Sequence, residues 1–485
     1  MTAANNAPDG RPAPRFHNTY SRSIQALEPL EEGRVRMYNC GPTVYGRQHI
    51  GNFRAFLFAD LLRRWLEDRG YDVRQVMNIT DVGHLVGDAD EGEDKMVAQA
   101  KKEGRDPWEI SRHWAAVFLD DLGRLRVQPA HAYPRATDHV DQMLEIIRAL
   151  EEKGFAYRAG DGGQDVYFDV TQFERYGQLS GNRLEDLQAG ARIEVRDEKR
   201  HPADFALWKS DPAHLMKWTT EYGEHGFPGW HIECSAMARE HLGDQIDIHT
   251  GGEDNVFPHH ECEIAQTEAF TGERFSGLWM HTKFLQVDGG KMSKSLGNIY
   301  TLDDVEERGH SIRELRFALM RGHYRSPLNF TWGILEECKS ALEGLDELRA
   351  RLAHTAAAND DDDGAESLQL AVAEFQRAMD DDLNTPAAMA ALFTLRDAAL
   401  NGPFGGATAR GALEFLERAD RVFGFIAPWE AVDADEDAEI DAMVKARDAA
   451  RDAKDWGEAD RLRDELTSRG IVLQDSDQGT IWRRG

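Results

Sequence analysis

The stretch from Val35 to Ile79 constrains this chain's fold more than any other, because it spells a strand, a helix and a second strand in one short run. Val35 to Tyr38 is an apolar-rich run before the Gly41-Pro42 break, and it reads as a strand. From Phe53 to Arg69 the residues Phe53, Phe56, Leu57, Leu61, Leu62, Trp65 and Leu66 fall near helical spacing, and Gly70 stands where a helix-ending glycine belongs. Val73 to Ile79 reads as the next strand. Such a unit pairs its strands in parallel and gathers ligands at the carboxyl edge of the sheet. The string His49-Ile50-Gly51-Asn52 stands at that edge, so the sequence predicts an α/β fold with a binding site there.

A second string, Lys291-Met292-Ser293-Lys294-Ser295, follows the loop glycines Gly289 and Gly290. Glycine and small polar residues let backbone N–H groups approach phosphate, and cationic side chains answer the charge that develops on it. Together the two strings suggest a nucleoside triphosphate gripped from both sides, with His49, Gly51, Asn52, Lys291 and Lys294 as candidates. Isolated loop lysines are commonly just solvated, but that explains poorly a pair flanking Ser293 beside two glycines.

His259 and Glu263 stand four apart on a segment that reads as helical, so both face one way. With Cys234 and Cys40 they form a Cys₂HisGlu set of the types zinc accepts. Spacing alone leaves the plainer reading open, since a buried cysteine is often a small hydrophobe. Cys262 lies within the same stretch and is read as a neighbouring buried thiol.

Elsewhere, Thr137 to Lys153 reads as a helix capped by Thr137 and Asp138, and Phe155 to Lys209 becomes glycine-rich and strand-like. Acidic stretches from His354 to Ser367 and from Ala431 to Glu439 read as linkers. Leu368 to Met379 and Thr385 to Leu400 have bundle periodicity, Ala442 to Arg469 reads as two charged helices, and Ile471 to Leu473 with Thr480 to Trp482 as a β-pair.

At 485 residues the chain is long enough for several domains. No apolar run approaches the roughly 18 residues of a membrane span, and the polar start from Met1 to Arg15 resembles no signal peptide. A cytoplasmic protein is therefore expected, with its four cysteines reduced or bound to metal. The net charge of −30 opposes nucleic-acid binding at low salt. The acidity is spread along the chain, a profile suited to a halophilic protein working where salt screens charge within a few ångströms.

The strings Met37-Tyr38-Asn39-Cys40-Gly41-Pro42-Thr43-Val44-Tyr45, Gly229-Trp230-His231-Ile232-Glu233-Cys234-Ser235 and Phe257-Pro258-His259-His260-Glu261 resemble those of cysteinyl-tRNA synthetases, a class I aminoacyl-tRNA synthetase family. With the two triphosphate strings and the ending Gly479-Thr480-Ile481-Trp482-Arg483-Arg484, the likeness runs over almost the whole chain. It implies a Rossmann-type parallel-sheet catalytic domain with an inserted connective domain, followed by a C-terminal helical anticodon-binding domain and a small α+β end piece. The expected divisions are a disordered tail over 1–15, the first catalytic half over 16–154, the insertion over 155–229, and the second half with the zinc ligands over 230–300. Stem-contact and linking helices follow over 301–353, the anticodon bundle over 354–430, and a linker with the small domain over 431–485.

The resemblance also implies chemistry. Cysteine is activated by ATP with Mg²⁺, forming cysteinyl-adenylate and pyrophosphate, and is then passed to the 3′ end of tRNA(Cys). His49, Asn52, Lys291 and Lys294 would be the catalytic residues, with His49, Gly51, Asn52 and Lys294 binding ATP. Cys40, Cys234, His259 and Glu263 would hold a zinc ion that selects the L-cysteine thiolate. Thr43, Trp230 and Asp254 would contact the amino acid or its adenylate, and Arg325, Trp482 and Arg483 would contact tRNA. The family usually has His where Asn52 stands; Asn can donate a hydrogen bond but cannot titrate. A monomer is expected. The competing readings are a ligase joining cysteine to an aminosugar, which needs no anticodon region, and a non-catalytic RNA-binding relative.

Overall fold

The computed structural model describes residues 6–83, 95–190, 198–292, 296–357, 361–427, 434–476 and 479–484. It divides into two compact units, the first made of Met1–Ile312, Gly322–Phe330 and Asp380–Leu383, the second of Arg313–Arg321, Thr331–Met379 and Asn384–Gly485.

The first unit opens with a hairpin of β1 (Arg15–Asn18) and β2 (Ser23–Ala26), then β3 (Arg34–Asn39), α1 (Ile50–Asp68) and β4 (Asp72–Met77). Helices α2 (Lys95–Glu103), α3 (Pro107–Arg124) and α4 (Val140–Glu152) follow. Next come β5 (Ala156–Ala159), β6 (Asp165–Phe168), α5 (Leu184–Gly190), β7 (Phe205–Ser210), β8 (Trp218–Thr220) and β9 (Gly223–Pro228). The chain returns through α6 (Trp230–Leu242), β10 (Ile246–Gly252), α7 (Glu261–Thr271), β11 (Ser276–Thr282), β12 (Leu285–Val287), β13 (Gly290–Lys291) and α8 (Leu302–Glu307).

Four strands form a parallel sheet in the order β11-β10-β3-β4, as the strand, helix, strand pattern requires. Alternation along β3 sends Tyr38 to one face, where with Val76 it packs among buried residues of α4, α6 and α7. Buried Val35 and Met37 take the opposite face. Helix α1 buries Phe53, Leu57, Leu61, Leu62, Trp65 and Leu66; truncating one of these leucines to alanine costs about 2–5 kcal/mol. In sequence, between β4 and β10, the chain also forms a separate antiparallel sheet of order β5-β6-β7-β9-β8.

Three expectations are corrected. The tail expected over 1–15 is packed where it is described, from residue 6: buried Arg69 donates to Asp9 and to the Pro12 carbonyl, and Ala7 and Ala13 are buried. Thr137 and Asp138 do not cap α4. They sit in a short 3₁₀ turn, and Asp81 accepts both the backbone N–H and the hydroxyl of Thr137, at 2.9 and 2.7 Å.

The third concerns the acidic linkers. In the second unit α9 (Ile312–Met320) is followed, after β14 (Leu328–Phe330) of the first unit, by α10 (Trp332–Ala356), α11 (Ala365–Asp380), α12 (Thr385–Asn401) and α13 (Gly406–Phe423). The end piece is α14 (Ala434–Asp452), α15 (Trp456–Ser468), β15 (Ile471–Ser476) and β16 (Gly479–Arg484), gathered around Ile440, Val444, Leu466 and Ile471. Residues 434–439 thus belong to a helix and not to a linker. Asn384 caps α12, its side chain accepting the Ala387 N–H.

Candidate metal centre and nucleotide site

Cys40 directly follows β3, and its N–H donates to the Thr250 carbonyl of neighbouring β10 at 3.1 Å. Cys234 lies on α6, His259 just before α7 and Glu263 in its first turn. The ligating atoms of these four residues all lie within 4.8 Å of one another. Cys234, His259 and Glu263 are buried, while Cys40 keeps a partial opening to solvent. Two sulfurs, an imidazole nitrogen and a carboxylate oxygen are a zinc-compatible donor set.

The surroundings orient this set. The Nδ1 atoms of His231 and His259 share a hydrogen bond at 2.9 Å, which turns His259 Nε2 toward Glu263 Oε1, 3.2 Å away. His249 Nε2 donates to the other carboxylate oxygen at 2.8 Å. Behind Cys40 runs a line of polar contacts: Cys40 Sγ to His260 Nε2 at 3.1 Å, His260 Nδ1 to His281 Nε2 at 2.8 Å, and His281 Nδ1 to Thr19 at 2.8 Å. Cys40, His249, His260 and Glu263 form a second group of suitable spacing. Both nitrogens of His260 already have partners in that line, and the first group offers two thiols to the second group's one.

Electrostatics fit a cation at this place. Burial raises the Cys40 thiol well above its usual range, with Cys234 and Glu263 adding to the effect. The hydrogen bond from Cys40 works to lower Cys234, yet burial and the carboxylates of Glu263 and Glu233 leave that thiol raised too. Burial would also raise Glu263, but His249 and His259 outweigh it and hold the carboxyl low. A divalent cation is what would favour both thiolates here. Cys262 is fully buried with Sγ 3.5 Å from the Tyr176 hydroxyl, and it belongs to neither group.

The loop from Gly41 to Gln48 joins this centre to the N-terminus of α1, where His49 is the cap residue. Asn52 N–H donates to His49 Nδ1 at 3.3 Å, and Asn52 Oδ1 accepts the His49 N–H at 3.1 Å. The side chain at Asn52 thus closes a capping box. A Cβ on Gly51 would lie 3.0 Å from Met292 Sδ and 3.1 Å from His49 Nδ1, so the two strings approach each other closely here and a larger residue would need Met292 or His49 to shift by a few tenths of an ångström. Lys291 is exposed in β13, paired with Gln286; Lys294 lies outside the described residues. Arg54, two residues after Asn52, is buried and donates to the carbonyls of Lys283, Phe284, His323 and Ser326 at 2.6–3.2 Å.

Trp230 begins α6, with its ring centroid 4.6 Å from that of His259. Thr43 bridges to Thr80 in the loop before α1. Asp254 is exposed on the turn after β10, near enough for the charge of Lys291 to act on it. Arg325 is held by buried Asp382, its Nε 2.5 Å from the carboxylate. Trp482 and Arg483 lie in β16. Sequence reasoning passed over His231, His249 and His281, whose partners are distant in the chain, and Trp456, 61% exposed at the start of α15. An aromatic beside the capping residue Asp455 was the available signal for Trp456.

Among the described residues no helix is long and apolar enough to cross a membrane. Residues 26–340 match the family of tRNA synthetases class I (C) catalytic domains, 374–427 the DALR domain, and 433–483 the cysteinyl-tRNA ligase anticodon binding domain. The cysteine–tRNA ligase of Salinibacter ruber is 43% identical, covering 98% of this chain and 98% of that protein. That of Thermococcus onnurineus is 42% identical, over 97% and 99%. The Mycobacterium tuberculosis methionyl-tRNA synthetase in complex with methionyl-adenylate has the same fold, with a TM-score of 0.59 at 15% identity over 80% of this chain and 89% of that one. With the catalytic-domain match spanning most of its length and full-length relatives this similar, the chain belongs to the cysteine–tRNA ligase family of class I tRNA synthetases.

Proposed function

We propose that the chain is a cysteine–tRNA ligase, which activates L-cysteine with ATP and passes it to the 3′ end of tRNA(Cys). The observation that carries this reading is the gathering of Cys40, Cys234, His259 and Glu263 beside the strand that leads to His49. Cysteine differs from serine mainly in one atom, and a pocket that judges shape alone separates such near-isosteres by only about a hundredfold. Bound by those four residues, zinc supplies a soft cationic site that favours a thiolate over a hydroxyl. Trp230 and Thr43 line the amino-acid pocket, and Asp254 contacts the substrate's ammonium or its adenylate.

His49, Gly51, Asn52, Lys291 and Lys294 act on ATP, which brings Mg²⁺. As the cysteine carboxylate attacks the α-phosphorus and pyrophosphate leaves, His49 and Lys294 stabilise the phosphates. Neither step needs a covalent enzyme intermediate, so positioning and charge stabilisation supply the acceleration. Arg325, Trp482 and Arg483 contact the tRNA. The enzyme acts as a cytoplasmic monomer in concentrated salt, where its charge of −30 is screened from the tRNA phosphates.

The test is cysteine-dependent exchange of pyrophosphate into ATP, followed by charging of tRNA with cysteine and with serine, across a KCl series. Exchange and cysteine-selective charging, both rising with KCl, are expected. Exchange without charging would favour the aminosugar ligase, absence of exchange at every salt the non-catalytic relative, and highest activity at low KCl would remove the halophilic element.

A further inference from the structure

The structure assigns a positioning role to Arg47, which we propose holds the two ATP-gripping strings in register; the inference rests on the ligase reading above. Arg47 stands two residues before His49. Its guanidinium meets the Asp121 carboxylate fork to fork, Nε and Nη2 lying 3.2 and 2.9 Å from the two oxygens, while Nη1 is paired with Asp303. Asp121 comes from α3 and is fully buried at its side chain. Asp303 lies in the first turn of α8, the helix reached directly after the Lys291 string and its trailing residues.

Arg124 closes the arrangement, 2.6 Å from Asp121, 2.9 Å from Asp303 and 2.8 Å from Glu306. Beside it the Ile50 N–H donates to the Tyr300 carbonyl at 2.8 Å. One backbone bond and one arginine bridge therefore connect the tetrapeptide to the chain leaving the pentapeptide. Asp121 already has Arg124, so neutralising that buried carboxylate does not by itself require Arg47. What Arg47 adds is the connection from the residues before His49 to α8. Arg47 and Arg124 are about three-quarters withdrawn from water, which limits screening by salt.

A site that grips one ligand from two separate strings depends on their spacing, and a displacement of about 1 Å can cost on the order of a hundredfold in rate. Arg47 acts on ATP through the placement of His49 and the Lys291 string, without touching the nucleotide.

The experiment is a double-mutant cycle in the full chain, Arg47→Ala, Asp303→Asn and both together. Pyrophosphate exchange is measured with KM for ATP and for cysteine taken separately, alongside zinc content and the thermal midpoint. Each single variant should lower kcat/KM for ATP by about tenfold, the double should be no worse than the more damaged single, and KM for cysteine and zinc content should hold. Asp303 is 45% exposed and Asn matches its shape, so that variant remains informative if Arg47→Ala folds poorly. A silent Asp303→Asn, additive effects, or equal losses for ATP and cysteine would overturn the role. An inactive wild type would overturn the ligase reading and this inference with it, whereas variants matching an active wild type would overturn the inference alone.

Discussion

Asn52 and His49 cap each other: each accepts the other's backbone N–H through its side chain, at 3.1 and 3.3 Å. Asn is suited to the task because its amide oxygen is a fixed acceptor, whereas a ring nitrogen depends on tautomer. Asn52→Ala should cost about 1 kcal/mol of stability, the usual worth of such a cap. It should also raise KM for ATP with little change in KM for cysteine, because the Asn52 side chain anchors the His49 backbone N–H at the start of α1, while the backbone N–H of residue 52 still holds the His49 ring. Urea unfolding and separate KM determinations check both parts, and an unchanged KM for ATP would detach the cap from catalysis.

The parts of the site legible in the sequence were those fixed at short range. Helical spacing put His259 and Glu263 on one face, though only the family resemblance made them ligands with Cys40 and Cys234, and the His49 string was placed by its position after a strand. The partners that orient them come from elsewhere: His249 from β10, Thr19 from the turn after β1, Asp121 from α3. No local periodicity encodes such meetings. Thr137 misled for a related reason, since a good capping residue is equally a good partner for distant Asp81.

Glu263 depends on His249, which fixes the carboxylate oxygen turned away from His259. Loss of a partner that orients a metal ligand typically weakens metal binding about 10–100-fold. His249→Ala should therefore release zinc to a chelator at correspondingly lower chelator concentration. Cys262→Ser should retain zinc, because its sulfur faces Tyr176. Zinc loss from the Cys262 variant, or none from the His249 variant, would redraw the ligand set.

Asp9 ties the N-terminal segment to α1 through Arg69. Partial burial would raise its carboxyl, but the hydrogen bonds from Arg69 and Arg11 outweigh that and hold it well below the usual range. A depressed folded-state value means stability that is present above the unfolded value of about 3.9 and fades as pH falls below it. Asp9→Asn should lower the urea midpoint at pH 7, and the gap from wild type should narrow at acid pH. A gap constant from neutral to strongly acid pH would show that packing, and not charge, holds this segment.

Trp456 is the large aromatic most open to water among the described residues, and it stands in the end piece that matches an anticodon-binding domain. A core or interface within the chain would have covered it; a face that receives an unpaired base would not. Stacking of a base on an aromatic is worth about 1–3 kcal/mol, so Trp456→Ala should raise KM for tRNA by roughly 5–150-fold on that scale. Pyrophosphate exchange needs no tRNA and should proceed at the wild-type rate. The substitution removes an exposed ring, so the thermal midpoint should also hold, and a charging reaction as efficient as wild type would exclude Trp456 from the tRNA contact.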